Sequence, residues 1–112
     1  MVKKKYVPER GDIVWVNFNP TRGHEQKGKR PAFVVSPRAY NEKAGLALLC
    51  PVTSQEKGYP FEVSIKSEKI SGVVLADHVR SIDWEERSVS FIVKSHAVVI
   101  SEVQGKLTAL IR

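Results

Sequence analysis

The sequence predicts a mainly β fold, a small and strongly curved barrel with one C-terminal α-helix, and three observations carry that expectation. Short apolar runs separated by turn residues fill the chain as far as Lys94, at the lengths and spacings of strands. A helical repeat of apolar residues appears only after that point. No helical segment separates one run from the next, whereas a parallel α/β sheet needs a helix at each crossover.

In chain order, the first strand is expected over residues 12–18 (DIVWVNF) and the second over 32–36 (AFVVS). A third follows over 46–52 (LALLCPV), and a fourth over 61–66 (FEVSIK). The fourth alternates most cleanly, with Phe61, Val63 and Ile65 on one face and Glu62, Ser64 and Lys66 on the other. Residues 72–79 (GVVLADHV) and 89–94 (VSFIVK) complete the set. Several of these strands are apolar on both faces, as expected of strands curled around a small core or covered by a partner. Beyond them, Ser95 is a candidate N-cap, and Val99, Val103, Leu107 and Leu110 recur at helical spacing. A helix over residues 96–111, packed on the sheet, is the consequence.

At 112 residues the chain is expected to form one domain, residues 1–112, whose self-association would help to bury apolar surface. The single cysteine, Cys50, lies within an apolar run, which excludes a disulfide framework and suits a reducing cytosol. The basic N-terminus lacks the apolar segment of a signal peptide, and no stretch approaches membrane-spanning length. A cytoplasmic protein without membrane attachment is expected. The net charge of +6 is unevenly placed: residues 1–40 carry nine Lys/Arg and three Asp/Glu, whereas residues 41–112 carry nine of each. Arg22, Lys27, Lys29 and Arg30 gather in or beside the loop GHEQKGKRP (23–31), a surface suited to phosphate.

That loop approaches the phosphate-binding pattern G-x-x-x-x-G-K-[ST] through Gly23, Gly28 and Lys29. Arg30 replaces the required hydroxyl, and Pro31 leads into a strand rather than a helix, so a nucleotidase loop is disfavoured. His24, His78 and His96 are scattered and form no metal-ligand pattern; neither a metal nor a cofactor is expected. No G-x-S-x-G elbow is present, and Cys50 reads as a core residue. What remains is the basic loop, Thr53 and Ser54 at one strand end, and Asp77 and His78 at another.

Such groups can cleave RNA without a metal, because the ribose 2′-OH is already placed beside the scissile phosphate. The protein must then accept a proton, donate one, and offer fixed positive charge to the transition state. Arg30 can supply that charge through two parallel N–H groups, and Thr53 can hold a phosphate oxygen. His24, Glu25, Asp77 and His78 are candidates for proton transfer that the sequence does not rank. A simple binding module is the competing reading of the same composition.

The stretches ERGDIVWVNFNPTRGHEQKGKRPAFVVSP (9–37), CPVTS (50–54), KGYPFEV (57–63) and GVVLADHVRSIDW (72–84) together resemble the MazF/PemK toxins, metal-independent endoribonucleases of bacterial type II toxin–antitoxin systems. The combination of G-x-E-Q, R-P and then P-x-T is specific, and the likeness is strongest to the MazF branch. The resemblance implies an SH3-like β-barrel with a C-terminal helix, acting as a homodimer on single-stranded mRNA. Its expected partner is an acidic, MazE-like antitoxin. Arg30 and Thr53 are implied as the catalytic pair; His24, Glu25 and Asp77 as acid, base or positioning groups; and Gln26, Lys29, Lys57 and His78 as RNA contacts. The PemK branch carries an arginine where this chain has Leu75, so a scheme that uses that arginine cannot operate here. A rival on the same barrel is a CcdB-like gyrase poison, which needs neither the G-x-E-Q loop nor Thr53.

Overall fold

The computed structural model describes residues 5–17 and 28–112. The expected positions His24, Glu25 and Gln26 therefore lie outside the described residues. Among the described residues, seven strands and two helices follow in the order β1 (Asp12–Asn17), β2 (Lys29–Val34), α1 (Arg38–Ala44), β3 (Leu46–Thr53), β4 (Glu62–Lys66), β5 (Ser71–Leu75), β6 (Arg80–Asp83), β7 (Ser90–Lys94) and α2 (Ala97–Ile111). The strands form one antiparallel sheet in the order β4-β5-β3-β2-β1-β7, with β6 also on β3. It curls into a half-barrel, with α2 against its concave side, and the expected mainly β class with a C-terminal helix is what is found.

Strand β3 is the pivot. Its first half pairs with β6, from Leu46↔Asp83 to Leu49↔Arg80. Its middle pairs with β2, and its end pairs with β5 through Val52↔Val74 and Thr53↔Val73. The expected strand 72–79 is a strand only as far as Leu75, where β5 ends; a turn that the His78 N–H closes on the Leu75 carbonyl at 3.0 Å follows, and β6, which was not among the expected strands, begins beyond it at Arg80. Pro51 lies on β3 at this break, where it has no N–H to offer a ladder. The interruption sets Asp77 and His78 in a turn instead of on a strand.

Other boundaries move for comparable reasons. Strand β2 begins at Lys29, not at residue 32, because Asn17↔Lys29 and Val16↔Arg30 extend its ladder along β1. Arg30 consequently stands on a strand. The seven-residue α1 was absent from the expected elements; only Asn41 on it is buried, so it has no apolar stripe to read. Gly45, in the left-handed region at φ 73°, ends it. At α2, the cap position belongs to His96 and not to Ser95, whose buried Oγ has no hydrogen-bond partner among the described residues. Val99 and Val103 are buried as expected, whereas Leu110 is exposed.

Both faces of the sheet are covered. Ile13, Phe33, Val63, Val74, Val99 and Val103 belong to the core between the sheet and α2. On the other face Val14, Val16, Val34 and Leu49 pack with Val7 and Trp84. Each such side chain removed from water stabilises the fold by about 1.5–3 kcal/mol, which accounts for strands that are apolar on both sides. Asn41 pins the second layer through polar contacts: its Nδ2 donates to the carbonyls of Pro8 at 2.8 Å and Ser36 at 3.0 Å, and its own carbonyl accepts from Trp84 Nε1 at 2.9 Å.

Candidate active site

The site is built where β2 begins and β3 ends. Arg30 is the second residue of β2, and Thr53 is the last of β3. A cleft of about 290 Å³ lies between them, lined by Lys29, Arg30, Pro31, Thr53, Ser54 and Ser71 among others. Among the described residues, no hydrogen bond or ion pair engages the exposed Arg30 guanidinium, so its fork of N–H groups faces an open cleft. Thr53 Oγ1 accepts a hydrogen bond from the Gln55 N–H at 3.1 Å. Its own O–H remains a donor for an anion in the cleft.

Backbone geometry explains how Thr53 comes to the edge of this cleft. Gly72, at φ 154°, lets β5 approach so closely that a Cβ there would stand 2.4 Å from the Thr53 carbonyl oxygen. Only a residue without a side chain fits. Gly72 was not among the site residues expected from sequence, although a lone glycine opening an apolar run is the signal for such an approach.

Thr53 also lines a second cleft, of about 280 Å³, with Gln55, Lys57, Tyr59, Glu62 and His78. The two clefts adjoin at Thr53 and place Lys29, Arg30, Lys57 and His78 along one groove. Asp77 stands beside this groove: its Oδ2 accepts from the Tyr59 hydroxyl at 3.2 Å, and its Oδ1 lies 3.7 Å from His78 Nε2. The Asp77 charge, reinforced by this hydrogen bond, raises the Tyr59 phenol above its ordinary range, so Tyr59 remains a neutral donor. No ion pair joins Arg30 to Asp77. The structure thus gathers Arg30, Thr53 and Lys29 at one cleft and Thr53, Lys57 and His78 at the next, with Asp77 behind His78.

Tyr59 and Glu62 were missing from the expected site. Tyr59 is an exposed aromatic in the segment KGYPFEV, and Glu62 was read only as the polar face of a strand. Among the described residues, no group of three or more His, Cys, Asp and Glu side chains is arranged to hold a metal ion. No helix among the described residues is long and apolar enough to cross a membrane.

The structure thus sets a guanidinium and a hydroxyl across one cleft of a curled half-barrel. The chain belongs to the family of PemK-like, MazF-like toxins of type II toxin-antitoxin systems, whose pattern matches residues 9–111. It is 47% identical over 110 residues to the endoribonuclease toxin MazF of Escherichia coli K12, covering 96% of each chain. It also matches the crystal structure of a MazE-MazF complex from Deinococcus radiodurans, with a TM-score of 0.84 and 50% identity, covering 95% of this chain and 96% of that one. MazF alone from the same organism matches with a TM-score of 0.83 and 54% identity, over 95% of this chain and 97% of that one.

Proposed function

We propose that this chain is the toxin of a type II toxin–antitoxin system: a metal-independent, sequence-specific endoribonuclease that cleaves single-stranded mRNA and so arrests translation. The observation that carries this reading is the meeting of Arg30 and Thr53 at one open cleft, in a fold whose relatives are named endoribonucleases. The ribose 2′-OH gives up its proton as its oxygen attacks the adjacent phosphorus, the 5′-oxygen takes up a proton as its bond to phosphorus breaks, and a 2′,3′-cyclic phosphate forms. Arg30 neutralises the charge that builds on the equatorial oxygens, and Thr53 donates its hydroxyl to one of them. Lys29 and Lys57 hold flanking phosphates, while His78, backed by Asp77, stands within the groove as a proton-handling or RNA-positioning group. His24 and Glu25 are further acid–base or RNA-positioning residues of this reading, and Gln26 a further RNA contact.

The active unit in this reading is a cytoplasmic homodimer of one toxin domain per chain, inhibited by an acidic antitoxin segment laid in the basic groove. Apolar side chains left exposed on α2, Val98 at 73% and Ile111 at 79%, support burial by a second copy. The gyrase-poison alternative is set aside, because nothing in that activity calls for an arginine and a threonine facing one cleft.

The test is a denaturing gel of long single-stranded RNAs incubated with the purified protein in EDTA, beside folded Arg30→Ala. Discrete fragments from the wild type alone are expected. Two unrelated RNAs left intact by the wild type would overturn the proposal. Annealing a complementary strand should protect the RNA, since bases in a duplex cannot be splayed out for reading. Equal cutting of duplex and single strand would remove single-strand recognition from the scheme.

A further inference from the structure

Three successive backbone N–H groups in the β3–β4 connection converge on one carboxylate. Glu62 Oε1 accepts from the N–H of Gly58 at 3.0 Å, of Tyr59 at 3.2 Å and of Lys57 at 3.3 Å, and Oε2 accepts from Lys57 at 3.0 Å. Gly58, at φ 77°, supplies the left-handed turn that aims the three donors inward. Such a concavity is an anion site, and here a side chain of the same protein fills it. The segment it holds carries Tyr59, a residue 48% exposed on the wall of the cleft that Thr53 shares. Tyr59 is held at its other end by the hydroxyl bond to Asp77 and lies 6.2 Å from the Phe61 ring, tilted against it.

We propose that Glu62 is a positioning residue for RNA recognition: its carboxylate locks the 57–59 segment so that Tyr59 forms a preset stacking platform for one unpaired base beside the scissile phosphate. This rests on the endoribonuclease reading of the groove. A tyrosine fixed at both backbone and hydroxyl loses little freedom when a base stacks on it, so the free energy of stacking goes into binding. Glu62 touches neither Arg30 nor Thr53. Its loss therefore falls on substrate binding and on the choice of base rather than on the chemical step.

The experiment compares steady-state cleavage of a single-site RNA oligonucleotide, chosen from the wild-type cleavage map, by wild type, Glu62→Ala, Glu62→Gln and Tyr59→Leu. Thermal melts establish folding, and hydrogen exchange reads the 58 and 59 amides. Glu62→Ala should speed exchange of these amides and raise KM about tenfold with kcat little changed, the loss of one stacked base. Glu62→Gln, whose amide oxygen can replace Oε1, should recover part of that loss. Tyr59→Leu should raise KM similarly, and adding Glu62→Ala to it should change little more, because both act through one contact. An unchanged KM in Glu62→Ala, or additive effects in the double variant, would overturn the inference while leaving the nuclease intact. Tighter binding by Glu62→Ala would also overturn it, and would mark the nest as a phosphate site that Glu62 keeps closed. A wild type that cuts no RNA brings down both the nuclease and this inference.

Discussion

Arg30 and Cys50 occupy opposite extremes of the residue scale, one open to the groove and the other sealed in the core. A lysine at position 30 keeps the charge but offers a point contact where guanidinium offers two parallel donors. Arg30→Lys should therefore fold with stability within about 0.5 kcal/mol of wild type, as an exposed substitution does. It should lose about 100-fold or more in cleavage rate, the usual cost of removing a donor to a transition-state oxyanion. Full activity in a gel assay would remove Arg30 from the mechanism. Cys50 is fully buried, and burial first, then the Asp77 charge, pushes its thiol from 9.0 up to about 12. The folded chain keeps this proton where the unfolded chain releases it. The stability linked to Cys50 is thus fully present below pH 9 and is lost as pH rises towards 12. Cys50→Ala should lessen the alkaline decline in unfolding free energy across that window, measured by urea denaturation at successive pH values.

Among the elements, β3 and β5 matter most, because their close approach at Gly72 sets Thr53 at the mouth of the cleft. Gly72→Ala would bring a methyl group to 2.4 Å from the Thr53 carbonyl oxygen, with backbone rather than a movable side chain as the obstacle. Strain at such a φ costs about 1–3 kcal/mol. Urea denaturation should show a loss of at least that size, and cleavage below the unfolding midpoint should fall further than the folded fraction does. Activity that merely tracks the folded fraction would mean that Thr53 need not be held so closely. The break between β5 and β6 acts at the same scale, since a continuous strand would alternate Asp77 and His78 between its two faces. The turn at this break instead puts His78 in the groove and the Asp77 carboxylate behind it, 3.7 Å from His78 Nε2.

For the whole molecule, the relevant quantity is where the charge lies. The excess of +6 falls entirely within residues 1–40, and Lys29 and Arg30 carry it to the groove edge. Binding of an RNA with a 2′-deoxy sugar at the scissile position, which cannot be cleaved, should weaken linearly with log salt concentration. Removing one phosphate contact by Arg30→Ala should reduce that slope by about 0.7. An unchanged slope in a fluorescence-anisotropy titration would place the guanidinium away from the phosphates.

The strand-forming runs, the C-terminal helix and the R-P and P-x-T residues were legible in the chain, because apolar periodicity and local residue chemistry are properties of neighbours in sequence. The alternation in β4 and the burial of Val99 and Val103 follow directly from that periodicity. Helix α1 and strand β6 were not legible: α1 buries a single polar residue, and β6 (RSID) has one apolar residue, Ile82, and owes its strand form to pairing with β3. Arg30 was expected in a loop because Pro31 looked like a boundary, yet pairing with β1 carries the strand through it. Above all, only the tertiary structure decided that Thr53 belongs to two adjoining clefts and that Glu62 closes a nest beneath Tyr59. Those relations depend on close approaches between distant segments, and no pattern within a single segment encodes the distance to another.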